Sequence, residues 1–139
     1  MISDKGLFSE EVKDILVQAG WVRSGSLPPT PSSLLNEWER FIALCKKGYK
    51  ENIYEYDNDI LIRKVIDIVL SSKALKKYPE FNSFSEKVKS LDAEFFELLQ
   101  NDVKRSTYEY WWQQGALKYA GEELAKDFFN NYKIKIRVV

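Results

Sequence analysis

The chain has 139 residues, about one domain by length, and its 45% apolar and 14% aromatic content excludes intrinsic disorder. Its 21 basic residues balance 21 acidic ones, so no net field draws it to nucleic acid or an anionic membrane. The absence of histidine removes Ser-His-Asp and Cys-His catalysis and nearly every zinc site, and Cys45, the one cysteine, can form no internal disulfide.

The opening "MISDKGLFSEEV" lacks a basic segment followed by an apolar run, and no window approaches the roughly eighteen apolar residues of a membrane span. A cytoplasmic protein without membrane attachment is the expectation, and the lone thiol suits a reducing compartment. The glycines form neither a phosphate-binding loop nor a dinucleotide fingerprint, so no cofactor is expected.

In "FSEEVKDILVQAGW", Ser9 reads as an N-cap, Glu10 and Glu11 suit the first turn, and Gly20 is a natural stop. Phe8, Val12, Ile15, Leu16 and Ala19 recur at helical spacing. Gly and three prolines in "RSGSLPPTPSS", residues 23–33, forbid regular structure and mark a loop within a single domain spanning 1–139. Thr30 then caps a helix whose first position is Pro31, with Leu34, Leu35, Trp38, Phe41, Ile42 and Cys45 as its stripe and Gly48 as its end.

A third helix is expected from Asp57–Asp59 to about Ser72, with Ile62, Val65, Ile66 and Val69 on its main face. After the turn "KKYPEFN", Ser83 and Glu86 fit a capping box for a fourth, carrying Phe84, Val88, Leu91, Phe95 and Leu98. Ser106 and Glu109 open a fifth, running to about residue 130; its Gly115 and Gly121 mark close packing or a break into two helices. The tail "KIKIRVV" alternates like a strand, yet a lone strand has no partner in a helical protein and reads as an extended tail on the bundle. The expected fold is all-α, a single-domain bundle of five to six helices with an extended C-terminal tail.

The stretch "ENIYEYDNDILIRK" concentrates acid and aromatic rings. Glu51, Glu55, Asp57 and Asp59 have no base among them, and Tyr54 and Tyr56 are amphipathic anchors of the kind enriched at binding hot spots. The first 60 residues hold ten acids and seven bases, the remainder eleven acids and fourteen bases, so a neutral chain is polarised into −3 and +3 parts. Such polarity suits steering toward a charged protein partner. Its bland counterpart is a solvated loop whose tyrosines fold back on the core.

Two other chemistries are open to these residue types. Tyr108, Tyr110, Trp111, Trp112 and Tyr119, near Arg105 and Lys118, could stack single-stranded nucleic acid with help from the basic tail, making a regulatory nucleic-acid-binding protein. Glu109, Glu122 and Glu123 oppose this by repelling phosphate, and core packing is the commoner use of such rings. Asp57 with Asp59, or Asp92 with Glu97, could bind Mg²⁺ or act as an acid–base pair, against the ordinary reading of a helix cap and a solvated face.

"LLNEWERFIALCKKGYKENIYEYDNDILIRKVIDIVL" followed by "YWWQQGALKYAGEELAKDFF" resembles small bacterial immunity proteins that neutralise polymorphic toxins, including those of contact-dependent growth inhibition systems. The resemblance covers about 100 residues. It implies a non-catalytic protein that binds one cognate toxin, often a nuclease, and covers its active site or substrate groove. On that reading Glu51, Glu55, Asp57 and Asp59 would mimic phosphates in a basic toxin cleft, with Tyr54 and Tyr56 packing at the rim.

Overall fold

The computed structural model describes residues 4–22 and 28–139. The chain is all-α, with α1 (Leu7–Gln18), α2 (Pro31–Lys46), α3 (Ile53–Asp59), α4 (Leu61–Leu70), a 3₁₀ turn (Ala74–Lys77), α5 (Pro79–Phe96), α6 (Trp111–Gln114) and α7 (Glu122–Tyr132). Two short strands, β1 (Tyr119–Ala120) and β2 (Arg137–Val138), pair in parallel. Among the described residues no helix is long and apolar enough to cross a membrane.

Two compact units are present, one drawn from Met1–Glu39 and Ile62–Leu91, the other from Arg40–Leu61 and Asp92–Val139. The expected loop at 23–33 lies outside the described residues at 23–27.

In the first unit the N-cap of α1 is Gly6, not Ser9, and Ser9 is buried inside the helix. The earlier start puts Phe8, Val12 and Leu16 on one buried face, and Phe8 meets the Tyr78 and Phe84 rings edge-on at 5.9 and 6.4 Å. Burying a phenyl ring is worth about 1.5–3 kcal/mol, more than the ~1 kcal/mol of a serine cap. Gly20 ends α1 as expected, at φ 81°, with Trp21 N–H donating to the Leu16 carbonyl and Gly20 N–H to that of Val17.

Thr30 and Ser33 cap α2 reciprocally. The Thr30 hydroxyl accepts from Ser33 N–H at 3.1 Å, the Ser33 hydroxyl accepts from Thr30 N–H at 2.8 Å, and Pro31 occupies the first helical position. The Asp4 carboxylate takes the Ser32 N–H and hydroxyl, an anion at the positive end of α2, and the Ser32 hydroxyl holds its pKa below the usual value. Every residue of the predicted α2 stripe is buried.

Helix α5 starts at Pro79, four residues before the expected Ser83 cap, because proline is preorganised for a first turn and Phe81 gains burial in register with Phe84 and Val88. The predicted third helix is α4, starting at Leu61, and the acidic stretch before it forms a helix of its own, α3, capped by Asn52 and separated from α4 at Ile60. The predicted fifth helix is broken. Residues 101–110 are irregular, α6 is four residues long, and β1 and α7 follow.

Both glycines in that region are close-packing points. A Cβ at Gly121 would lie 2.8 Å from the Tyr49 carbonyl oxygen, and one at Gly115 would lie 2.8 Å from Leu99 Cδ1. The break frees Tyr119–Ala120 to accept the tail as a strand: Arg137 N–H donates to the Lys118 carbonyl and Val139 N–H to that of Ala120. The tail therefore has the partner that a purely helical reading denied it, and Ile136 is buried beside it.

Candidate functional site

The acidic stretch is itself a helix. The Asn52 side chain accepts from Glu55 N–H at 2.9 Å, and Ile53, Tyr56 and Ile60, spaced three and four residues apart, point into the core of the second unit. The start of α3 is fixed from outside as well, since Ile53 N–H donates to the Asp127 carboxylate on α7 at 3.0 Å.

This geometry divides the six residues singled out from the sequence. Tyr56 is fully buried, its ring edge-on to Tyr49 and Phe128 and tilted against Phe41. It is a core residue and cannot sit at the rim of an interface, because the inward face of a seven-residue helix is the face that holds it down. Asp57 is paired with Arg105 at 2.6 Å, so it is not a free phosphate mimic. Asp59 accepts a hydrogen bond from the Tyr49 hydroxyl at 2.6 Å. Glu51, Tyr54 and Glu55 remain directed to solvent, and Tyr54 is 80% exposed.

Arg105, which the sequence offers only as a cation beside the stacking rings, is instead a buried partner of α3. Its side chain is only 1% exposed. Nε donates to the Gln113 carbonyl at 2.7 Å, Nη2 reaches Asp57, and the backbone N–H donates to the Gln114 carbonyl at 2.8 Å. The guanidinium lies 4.9–5.8 Å from the ring centroids of Tyr108, Phe128, Tyr56 and Tyr132. Burial disfavours its charge, but the Asp57 hydrogen bond and charge outweigh this and raise its pKa above the usual value. Arg105 thus ties irregular residues 101–110 to α3 and α7.

Of the rings considered as a stacking platform, Trp112 is buried and stacks on Tyr110 at 4.5 Å, while Trp111 packs against Phe95, Phe96 and Trp112. These faces are occupied by one another. Glu94, between Asp92 and Glu97, pairs with Lys46. Among the described residues no group of three or more Cys, Asp or Glu is arranged to hold a metal ion.

Beside α3 lies a cleft of about 680 Å³ lined by Arg40, Leu44, Lys47, Gly48, Tyr49, Lys50, Glu51, Glu55 and Asp59. Burial pushes the Tyr49 hydroxyl at its floor well above the ordinary phenol range, reinforced by the hydrogen bond and charge of Asp59. Three cations and three carboxylates share this lining, so the acidic face is bordered by the bases of the segment just before it. No protein-family model, curated protein or solved structure matches the chain.

Proposed function

We propose that the chain is a non-catalytic immunity protein that binds a cognate bacterial toxin in the cytoplasm through the outer face of α3, with Tyr54 as the anchor and Glu51 and Glu55 beside it. The observation that carries the reading is the 80% exposure of Tyr54 on a helix whose other aromatic residue is fully buried. A large ring held in water on a well-anchored element is costly in apolar exposure and is the residue type most enriched at hot spots. The immobilised backbone of α3 supports the same reading, because a preorganised anchor loses little entropy on binding. The resemblance to toxin-neutralising proteins supplies the partner class.

The experiment is co-expression with the product of the neighbouring reading frame, scored by growth. Wild type restores growth, whereas Tyr54→Ala removes about 2 kcal/mol of binding, roughly thirtyfold in affinity, and protection falls accordingly. Full protection by a Tyr54→Ala, Glu55→Lys double variant would place the interface elsewhere.

A further inference from the structure

We infer that the cleft between α2 and α3 receives a segment of the partner protein that carries both signs of charge. The segment's acidic side chains face Arg40 and Lys47, and its basic side chains face Glu51 and Glu55. This rests on the partner-binding reading above and specifies what the partner must present.

The two walls follow from helical spacing. Arg40 and Leu44 on α2 and Lys47, one residue past its end and still bonded through its N–H to the Ala43 carbonyl, share one face, four and three residues apart. Glu55 and Asp59, four apart, share one face of α3, with Glu51 just before its cap. Opposite charges so close in sequence would ordinarily bridge. Among the described residues, however, Arg40, Lys47, Lys50, Glu51 and Glu55 form no ion pair within 4 Å.

The turn between the walls explains why they stay apart. Gly48, at φ 89°, sits so close to Val139 that a Cβ would lie 2.5 Å from its Cγ2. The Tyr119 hydroxyl donates to the Lys46 carbonyl at 2.7 Å, and Gly121 N–H donates to the Tyr49 carbonyl at 2.8 Å. Tyr49 then ties the cleft floor to α3 through Asp59. The end of α2, the turn and the start of α3 are each pinned by β1 or α7, so the charges are fixed facing a cleft instead of each other.

The lining selects its occupant by charge. Six of its nine residues are charged, whereas small-molecule pockets are mostly apolar, so a protein segment fits better than a drug-like ligand. A purely basic segment would meet Arg40, Lys47 and Lys50, a purely acidic one Glu51, Glu55 and Asp59, and each mismatch carries a repulsive cost. A mixed-charge segment satisfies both walls.

The test uses three fluorescent peptides of about eight residues, one alternating Lys and Glu, one all Lys and one all Glu, long enough to span the cleft at ~3.4 Å per residue. Polarisation titrations at low salt should show the alternating peptide binding wild type at least about tenfold tighter than either other. Glu51→Lys with Glu55→Lys should switch the preference to the all-Glu peptide, and Arg40→Glu with Lys47→Glu to the all-Lys peptide. All four side chains are exposed, and unchanged melting curves confirm that both variants fold. If wild type prefers the all-Lys peptide, the cleft is simply acidic: this inference fails while the Tyr54 reading stands. Equal binding of all three peptides, binding of none, or unswitched preference in the variants overturns it as well. Failure of the Tyr54 growth assay alongside a switched peptide preference would instead remove the toxin partner and keep the cleft.

Discussion

The Arg105–Asp57 pair makes an asymmetric prediction. The Arg105 side chain is 1% exposed, while Asp57 is 39% exposed. Asp57→Asn keeps shape and a hydrogen-bond acceptor but leaves a buried cation with only the Gln113 carbonyl and ring faces for support. Stranding a buried charge costs about 3–5 kcal/mol, and the retained acceptor brings the expected loss to about 2–3 kcal/mol. Arg105→Met removes the cation, and Asp57, already partly in water, rehydrates. What is lost then is the cation–ring attraction, about 0.5–2 kcal/mol, partly recovered by sulfur–aromatic contact, so a loss of about 1–2 kcal/mol is expected.

Adding Asp57→Asn to Arg105→Met should cost less than about 0.5 kcal/mol, giving a coupling of at least ~1.5 kcal/mol in the double-mutant cycle. Urea titrations followed by far-ultraviolet circular dichroism measure all four proteins on one scale. If Asp57→Asn costs no more than Arg105→Met, the guanidinium does not depend on that carboxylate and the clamp on α3 is something else.

Three further outcomes follow from packing and ionisation. Gly121→Ala should cost about 1–3 kcal/mol because its Cβ meets the Tyr49 backbone, and Gly115→Ala should cost less because the obstacle is the movable end of Leu99; thermal melts rank them. Burial raises the pKa of Tyr49, Tyr56 and Tyr132, with Arg105 opposing it at the last two. A raised folded pKa gives stability that is fully present below the ordinary phenol value of about 10 and lost as pH rises beyond it; the melting temperature should fall above about pH 10, and less steeply in Tyr56→Phe. Cys45 is buried and its thiol pKa is pushed well above the usual range by desolvation and by Asp59, so aromatic disulfide reagents should label it only at the rate of unfolding, and rapid labelling of native protein would contradict the packing.

What was legible in the sequence depended on how local the deciding contact is. The α2 stripe and its Thr30–Pro31 start were readable because spacing and cap lie within one segment, and the structure buries that whole stripe. Helix α3 was hidden because Glu55, Asp57 and Asp59 interrupt the eye between Ile53, Tyr56 and Ile60; Asn52 three residues before Glu55 was the available signal. The broken fifth helix and the unpartnered tail were one error. A continuous helix through Gly115 and Gly121 leaves no strand for residues 137–138, and the contacts that break it, Leu99 and Tyr49, lie sixteen and seventy-two positions away. Arg105 sits in a polar stretch whose partners Asp57 and Phe128 are equally remote, so no local pattern marks it.

These nonlocal contacts change what the acidic stretch means. No base stands among its carboxylates along the chain; in space the remote Arg105 takes Asp57, Tyr49 donates to Asp59, and Arg40, Lys47 and Lys50 from the preceding segment border the rest. A uniformly acidic face would attract any basic surface, with little to reject wrong partners. If α3 is the proposed partner surface, using two acids to fix it while leaving two beside an exposed tyrosine and opposite a basic wall reduces the net field but raises discrimination, because a partner would then have to match an alternation of charge. On the proposed reading, specificity of that kind resides in the inner face of α3 as much as its outer one: loosening Asp57 from the buried Arg105 would free the helix that carries Tyr54, so Arg105→Met should weaken partner binding although its side chain is only 1% exposed.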